Sequence, residues 1–417
     1  MSDRTDAIVE EVMQEYEQRR ARQQLLGEAP RSPEALAKRT AERVVGQRQA
    51  ARTLAVAFRH HGMRTRLLRA GGAEAAQALP RNQVLLIGPT GSGKTLLVRT
   101  MAELTELPFV AADTSQFTET GYVGTSAEDL CRSLLTRAEG KFATAETGIL
   151  FLDEIDKTRA RSVGGGRDVS GEGAQECLLS IIDGGYLQVE FPGRGQPGSA
   201  KRTFNTGNLQ VVAAGAFSGL EEIVARRVEG VRHLGFGVQD RRPHAEQDSE
   251  VLRQVIPQDL IEYGLKPELV GRFRTICVLD DLCESDLLAI LCDLETGPVR
   301  MAQQLAELEG FRLNFHPALL QEITRRAMAT RLGARYLQGL VQRATERVFF
   351  EMPSKVSHHR TSNAVVMLGP QSLVDGTYEV NWVRETTASS SEVTAGPERF
   401  DERDDYADTL SAVGQAG

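Results

Sequence analysis

Five short apolar runs alternate with stretches of helical periodicity across the first two thirds of the chain. The runs span residues 84–87, 108–111, 148–152, 209–214 and 275–279. Apolar runs of this length are typical of buried strands, and their alternation with helices indicates a parallel sheet. We therefore predict a large α/β domain over residues 41–280, built on a parallel sheet flanked by helices.

Beyond about residue 282 the hydrophobic positions recur with the period of helices. Apolar side chains share one face around residues 287–294, 319–327 and 337–348, and one short strand is expected at 364–368. This pattern predicts a smaller, mainly helical domain over residues 281–382. Residues 1–40 are expected to form a helical extension and linker, and residues 383–417 an acidic disordered tail.

Composition narrows the class of protein. The chain has 417 residues, of which 41% are hydrophobic, an ordinary share for a globular protein. Its net charge of −8 argues against a dedicated nucleic-acid binder. The charged start and the absence of a long apolar run predict a cytoplasmic protein with no membrane association. Five cysteines without a CxxC pair indicate reduced thiols rather than a disulfide framework or a zinc site.

Residues 88–95 read GPTGSGKT between a strand and a helix start. In that context G-x-x-x-x-G-K-T is a Walker A phosphate loop, in which glycines let the backbone N–H groups turn toward a polyphosphate. Lys94 can reach the β- and γ-phosphates, and the Thr95 hydroxyl can ligate Mg²⁺. The predicted nucleotide-binding residues are Gly88, Pro89, Thr90, Gly91, Ser92, Gly93, Lys94, Thr95 and Leu96.

A second apolar strand ends in two carboxylates about 60 residues further on. Asp153 and Glu154 follow the run 148–152, which is the Walker B pattern. The strand aims Asp153 at Mg²⁺ beside the phosphates, and Glu154 can polarise the attacking water. Together the two motifs predict an ATPase that uses ATP and Mg²⁺.

Three further features each have two interpretations from the residues alone. Tyr122 and Val123 lie between glycines, so they form either an apolar loop tip that grips a partner or a turn whose tyrosine packs on the core. Arg272 and Arg335 are either surface arginines or side chains that stabilise charge on a transferred γ-phosphoryl group.

In order and spacing, these segments resemble those of the ClpX-type AAA+ protein unfoldases. The resemblance covers roughly residues 40–370 and includes LDEIDK at 152–157, RDVSGEG at 167–173, GAF at 215–217 and GLKPELVGR at 264–272. The sister unfoldase HslU shares several of them, but RDVSGEG and GAF are more similar to ClpX. The resemblance implies a homo-hexameric ring with ATP between neighbouring subunits, an ATPase that is not itself a peptidase.

The resemblance also implies roles around the nucleotide. Val44 and Val45 would line the adenine pocket. Arg272 would be the finger that reaches a neighbour's nucleotide. Arg335 would couple the nucleotide state to rotation of the small domain.

Two kinds of partner contact are implied as well. Tyr122 and Val123 would form the pore loop that pulls on substrate polypeptides, and residues 167–170 a second pore loop. An apolar tripeptide within the polar stretch 228–250 would dock into clefts of a ClpP-type peptidase, as a Leu/Phe hook suits a partner pocket. It could instead pack on its own loop. Its residues are Leu234, Gly235 and Phe236.

The chain departs from the family pattern in three places. No cysteine precedes Cys131, so we expect no N-terminal zinc-binding domain and no zinc. The family's Arg-Lys-His motif is absent between residues 186 and 209, and residues 209–215 contain no clear polar sensor-1 residue.

The predicted function is an ATP-driven unfoldase that threads protein substrates through a ring pore, with delivery to a ClpP-type peptidase favoured. One alternative is a remodelling chaperone without a peptidase. Others are a nucleic-acid motor, against which the acidic chain and aromatic pore loop argue, and a nucleotide-dependent scaffold.

Overall fold

A computed structural model describes residues 32–117, 126–159, 169–192, 199–229, 245–293, 296–330, 332–358 and 362–384. The chain divides into two compact units, with the boundary between Asp281 and Leu282.

The first unit is built on a five-stranded parallel sheet with the order β2-β3-β6-β1-β7. All five expected strands are present, and the α/β fold predicted from the sequence is confirmed. The strands are β1 (Val84–Ile87), β2 (Phe109–Asp113), β3 (Ile149–Asp153), β6 (Gln210–Gly215) and β7 (Thr275–Val278).

Helices flank this sheet within the first unit. In the described residues they are α1 (Pro33–Arg43), α2 (Arg48–Arg69), α3 (Ala73–Ala78), α4 (Lys94–Thr105), α5 (Ala127–Arg137), α6 (Phe142–Ala145), α7 (Val169–Asp183), α8 (Leu220–Glu229), α9 (Ala245–Leu252), α10 (Pro257–Tyr263) and α11 (Pro267–Val270).

Side chains alternate between two cores, one on each face of the sheet. Leu85 and Ile87 belong to one cluster, whereas Val84 and Leu86 belong to the other. Because both faces are covered, every residue of β1 and β6 is buried, which is why β1 and residues 211–214 of β6 read as unbroken apolar runs.

The first unit also contains an antiparallel pair that we did not predict. Strands β4 (Tyr186–Pro192) and β5 (Ser199–Asn205) form a two-stranded sheet outside the parallel one. Their polar and charged positions concealed the strand pattern in the sequence.

The second unit combines helices with a three-stranded sheet of order β10-β9-β8. The expectation of one strand here was wrong, since β9 (Ser362–Leu368) pairs with β8 (Phe311–Phe315) and β10 (Tyr378–Arg384). Both added strands alternate buried and accessible residues, a short signal that the surrounding helical periods outweighed. The helices are α12 (Glu284–Leu291), α13 (Pro298–Leu308), α14 (Pro317–Met328) and α15 (Arg335–His358).

Candidate nucleotide site

The phosphate loop joins the buried strand β1 to helix α4. Gly91 and Gly93 adopt left-handed φ angles of 82° and 91°, which glycine tolerates without a steric penalty. At Gly88 a Cβ would lie 2.8 Å from Leu279 Cβ. The glycines are therefore required by the path of the backbone and by close packing against the residue that follows β7.

Helix α4 begins at Lys94 without a side-chain cap, because its N-cap is Gly93. The first hydrogen bond of the helix runs from Leu97 N–H to Gly93 C=O over 2.8 Å. The N–H groups of residues 94–96 lie in the turn before Leu97, and N–H groups at this position of a helix bind anions. Leu96 lies in this turn with a side chain that is 49% exposed.

Lys94 is buried and extends back over the loop. Its Nζ donates to the carbonyl oxygens of Gly88 (2.7 Å) and Pro89 (2.8 Å). The ammonium is therefore held directly above the backbone that the sequence assigned to phosphate binding. Neighbouring Ser92 is also buried, and its Oγ has no hydrogen-bond partner in the structure.

The two Walker motifs meet through one hydrogen bond. Thr95 Oγ1 donates to Asp153 Oδ2 over 3.0 Å, across 58 positions of sequence. The other carboxylate oxygen, Oδ1, accepts from the Glu154 N–H over 3.0 Å. A hydroxyl and a carboxylate side by side are oxygen ligands that suit Mg²⁺, which completes its octahedron with waters and substrate phosphates.

Glu154 has an exposed side chain and a left-handed backbone with φ of 59°. Few non-glycine residues adopt this conformation, which costs about 1–3 kcal/mol and concentrates at functional sites. It directs the chain sharply away from the end of β3, so the Glu154 side chain does not continue the strand alternation of Asp153.

Asp156, which we did not single out from the sequence, joins β3 to the end of β6. Its Oδ2 accepts from the Phe217 N–H over 3.2 Å, while its side chain is buried. A Cβ on Gly215 would lie 2.5 Å from Asp156 Oδ1. The Gly215 carbonyl in turn accepts from the Gly88 N–H over 3.2 Å. The strand end that lacks a polar sensor residue thus contacts the phosphate loop through its backbone.

Val44 and Val45 lie just after α1. Val44 is buried, and its Cγ1 lies 3.5 Å from where a Cβ on Gly93 would stand. Val44 is therefore next to the phosphate loop, and the adenine pocket stays a prediction. Sequence reasoning missed Gln47, which fixes this segment. Its buried amide donates to Asp280 C=O (2.8 Å) and accepts from Asp280 N–H (3.0 Å).

Arg272 lies at the amino ends of the parallel strands, opposite to the end that carries the phosphate loop. It precedes β7 by three residues, whereas the phosphate loop follows β1, and β1 and β7 pair in parallel from Val84↔Thr275 to Ile87↔Val278. A four-residue strand spans about 13 Å. The structure therefore separates Arg272 from the phosphate loop of its own chain.

The remaining predicted residues lie outside the described part of the first unit. Arg335 begins α15 in the second unit. Tyr122 and Val123 lie outside the described residues, as does the tripeptide of Leu234, Gly235 and Phe236.

Comparison with known proteins agrees with these motifs. Residues 79–276 match the family described as AAA domain (Cdc48 subfamily), and residues 293–366 match the C-terminal, D2-small domain of ClpB protein. The chain is 36% identical over 356 residues to the ATP-dependent Clp protease ATP-binding subunit ClpX of Azotobacter vinelandii, which covers 84% of this chain and 80% of that protein. The chain belongs to the ClpX family.

Two further ClpX relatives show similar identity and coverage. ClpX 3 of Methylococcus capsulatus is 35% identical over 405 residues, 93% of this chain and 91% of the relative. ClpX of Treponema denticola is 37% identical over 326 residues, 78% of each. The resemblance drawn from the motifs is confirmed, and with it membership of the nucleotide-binding AAA+ ATPases.

Two features of the described residues bear on membrane and metal binding. None of their helices combines the length and apolar character needed to cross a membrane. They also contain no group of three or more His, Cys, Asp or Glu side chains arranged to hold a metal ion. A magnesium site does not require such a group, because substrate phosphates and water supply most of its ligands.

Proposed function

We propose that this chain is an ATP-dependent protein unfoldase and translocase. It assembles as a homo-hexamer in the cytoplasm, pulls substrate polypeptides through the ring pore and delivers them to a ClpP-type peptidase, without peptidase activity of its own. The printed names of the relatives, ATP-binding subunits of an ATP-dependent Clp protease, support the assignment. The observation that carries it is the Thr95–Asp153 contact, which joins both halves of a hydrolytic site.

In the proposed reaction each residue has one task. Lys94 and the N–H groups of the loop bind the β- and γ-phosphates, and Val44 with Val45 contacts the adenine. Thr95 and Asp153 hold Mg²⁺, which when bound neutralises charge on the phosphate oxygens. Glu154 orients and polarises the attacking water as a general base.

Arg272 acts in trans in this proposal. An arginine that stabilises charge on the γ-phosphoryl group must lie within contact distance of it, and the separation of Arg272 from its own phosphate loop favours the nucleotide of a neighbouring subunit. Arg335 couples the nucleotide state to rotation of the second unit.

The trans role can be tested with mixed rings. Rings made only of Arg272→Ala chains, or only of Glu154→Gln chains, are expected to be inactive. Mixing the two chains creates sites that combine an intact Glu154 with a neighbour's intact Arg272, and ATP hydrolysis should return. Absence of recovery in rings of confirmed mixed composition would contradict the trans assignment.

Substrate class can be tested by stimulation of ATP hydrolysis. A permanently unfolded polypeptide is expected to accelerate hydrolysis by the full chain, whereas double-stranded DNA is not. Tyr122→Ala should abolish this stimulation while basal hydrolysis persists. Tyr186→Ala is the matched control, since Tyr186 is an exposed tyrosine on β4. Stimulation by DNA alone would favour a nucleic-acid motor.

The peptidase partner requires a separate measurement. With a ClpP-type peptidase present, the wild-type chain should degrade an unfolded reporter in an ATP-dependent manner. Phe236→Ala should abolish degradation while ATP hydrolysis continues, because the Leu234–Gly235–Phe236 hook would no longer dock. Unchanged degradation by Phe236→Ala would rule out the hook, and unfolding without any degradation would favour the stand-alone chaperone.

A further inference from the structure

Arg272 is held by a carboxylate of its own chain. Its Nη2 donates to Asp183 Oδ2 over 3.2 Å, and its Nε pairs with Oδ1 of the same carboxylate. Both side chains are partly exposed, at 49% for Arg272 and 36% for Asp183. A side-on contact of this kind uses the Nε edge of the guanidinium, and the Nη1 N–H groups lie outside it.

Asp183 is itself fixed by its backbone, because it is the last residue of α7. Arg81 donates from Nη1 to the Ile182 carbonyl over 3.2 Å and from Nη2 to the Asp183 carbonyl, and a cation at the C-terminal carbonyls stabilises a helix end. The turn that follows requires Gly184, whose φ is +79° and where a Cβ would lie 2.5 Å from Arg81 Nη1.

The surroundings of Asp183 are strongly cationic. Burial is the first cause of the lowered pKa of Arg81, and the nearby Arg272 and Arg274 lower that pKa further, whereas Asp183 raises it. Asp183 thus supplies the counter-charge for Arg81 and Arg272, which precede the neighbouring strands β1 and β7. Removal of that charge leaves Arg272 facing like charges.

We infer that Asp183 is a positioning residue for Arg272, holding one edge of the guanidinium so that the other can meet a neighbouring subunit's phosphate. The inference rests on the proposed trans role of Arg272. A free arginine side chain loses about 2 kcal/mol of rotamer entropy when it is fixed, and prior fixation by Asp183 reduces that loss at the moment of reaction. Asp183 is remote from its own phosphate loop, so its removal lowers turnover rather than nucleotide binding.

The first experiment measures ATP hydrolysis by full-chain rings. Asp183→Asn is expected to lower kcat about threefold to fivefold, the upper part of the range that exposed ion pairs support, with KM for ATP unchanged. Asp183→Glu should recover much of the loss. Glu176→Gln is the matched control, because it removes the 2.6 Å ion pair with Lys266 from the same helix without touching Arg272. Thermal unfolding and ring size establish that each variant is folded and assembled.

Mixed rings decide between positioning and a merely structural role. In rings of Arg272→Ala and Glu154→Gln chains, only the Glu154→Gln chain provides Arg272 to an active site. Asp183→Asn should therefore lower activity when placed on the Glu154→Gln chain and have no effect on the Arg272→Ala chain. An equal effect on both chains, or on neither, overturns the inference. Mixed rings without recovered activity, even with Asp183 intact, overturn the trans role and with it this inference.

Discussion

The Thr95 hydroxyl donates to Asp153 Oδ2 over 3.0 Å, and this contact joins the phosphate loop to the end of β3. Thr95 belongs to the first turn of α4, which follows β1, whereas Asp153 ends β3, two strands from β1 in the sheet order. The carboxyl ends of these parallel strands lie on the same side of the sheet, which is where ligands bind in α/β folds.

Glu154→Gln is expected to lower ATP turnover by at least about 100-fold, because general-base catalysis contributes about 10²–10⁴-fold. ATP binding should persist, since the phosphate loop is unchanged. Steady-state hydrolysis and binding of a fluorescent ATP analogue measure the two effects. Glu106→Gln is the matched control, because Glu106 is also exposed and has a left-handed φ of 56°. Equal turnover in the two variants would exclude Glu154 as the base.

Gly215→Ala is expected to disturb the contact between β6 and the phosphate loop. The new Cβ would lie 2.5 Å from Asp156 Oδ1 and 2.7 Å from Phe217 Cε2, and overpacking of this kind costs about 1–3 kcal/mol. We expect a lower free energy of unfolding together with slower ATP hydrolysis. Gly185→Ala should change neither, since no heavy atom lies within 4 Å of its added Cβ.

Gln47→Ala is expected to weaken nucleotide binding. Loss of the two hydrogen bonds to the Asp280 backbone leaves buried polar groups without partners, at about 1–3 kcal/mol, and releases the segment that carries Val44 and Val45. The KM for ATP should rise while kcat changes little. Gln49→Ala, an exposed position on the adjacent helix, should leave KM unaltered. A fall in kcat alone would contradict this role for Gln47.

Stability should fall in mild acid because of His61. Burial lowers the pKa of His61 to about 4, with smaller contributions from Arg64 and Arg69, and its Nε2 lies 2.9 Å from Thr147 O. The folded pKa is below the unfolded value of about 6.5, so the unfolded state binds more protons between these values. The stabilisation is present above pH 6.5 and is lost as the pH falls toward 4, about 3 kcal/mol in all.

His61→Gln provides the comparison for that pH dependence. The glutamine amide can donate to the Thr147 carbonyl without titrating, so unfolding midpoints of this variant should decline less between pH 6.5 and pH 4 than those of the wild type. Parallel pH profiles for the two proteins would show that His61 does not contribute to acid sensitivity.

Much of the nucleotide site could be predicted from the sequence because its information is local. The residues of GPTGSGKT are contiguous, and their glycines and lysine define the loop wherever a strand precedes them and a helix follows. The three central strands β1, β3 and β6 were visible for a similar reason, since burial on both faces leaves apolar runs. The strands β8 and β10 were missed because each is apolar on one face only.

What the sequence determined by itself is therefore the phosphate loop, the Walker B carboxylates and the α/β class. The tertiary structure decided which distant residues meet: Thr95 with Asp153, Gln47 with Asp280, and Arg272 with Asp183. The last pair lies near the amino end of β7, away from the phosphate loop of the same chain. These pairs are separated by 58, 233 and 89 positions. Their contacts depend on strand order and register, which are set by packing of the whole sheet rather than by neighbouring residues.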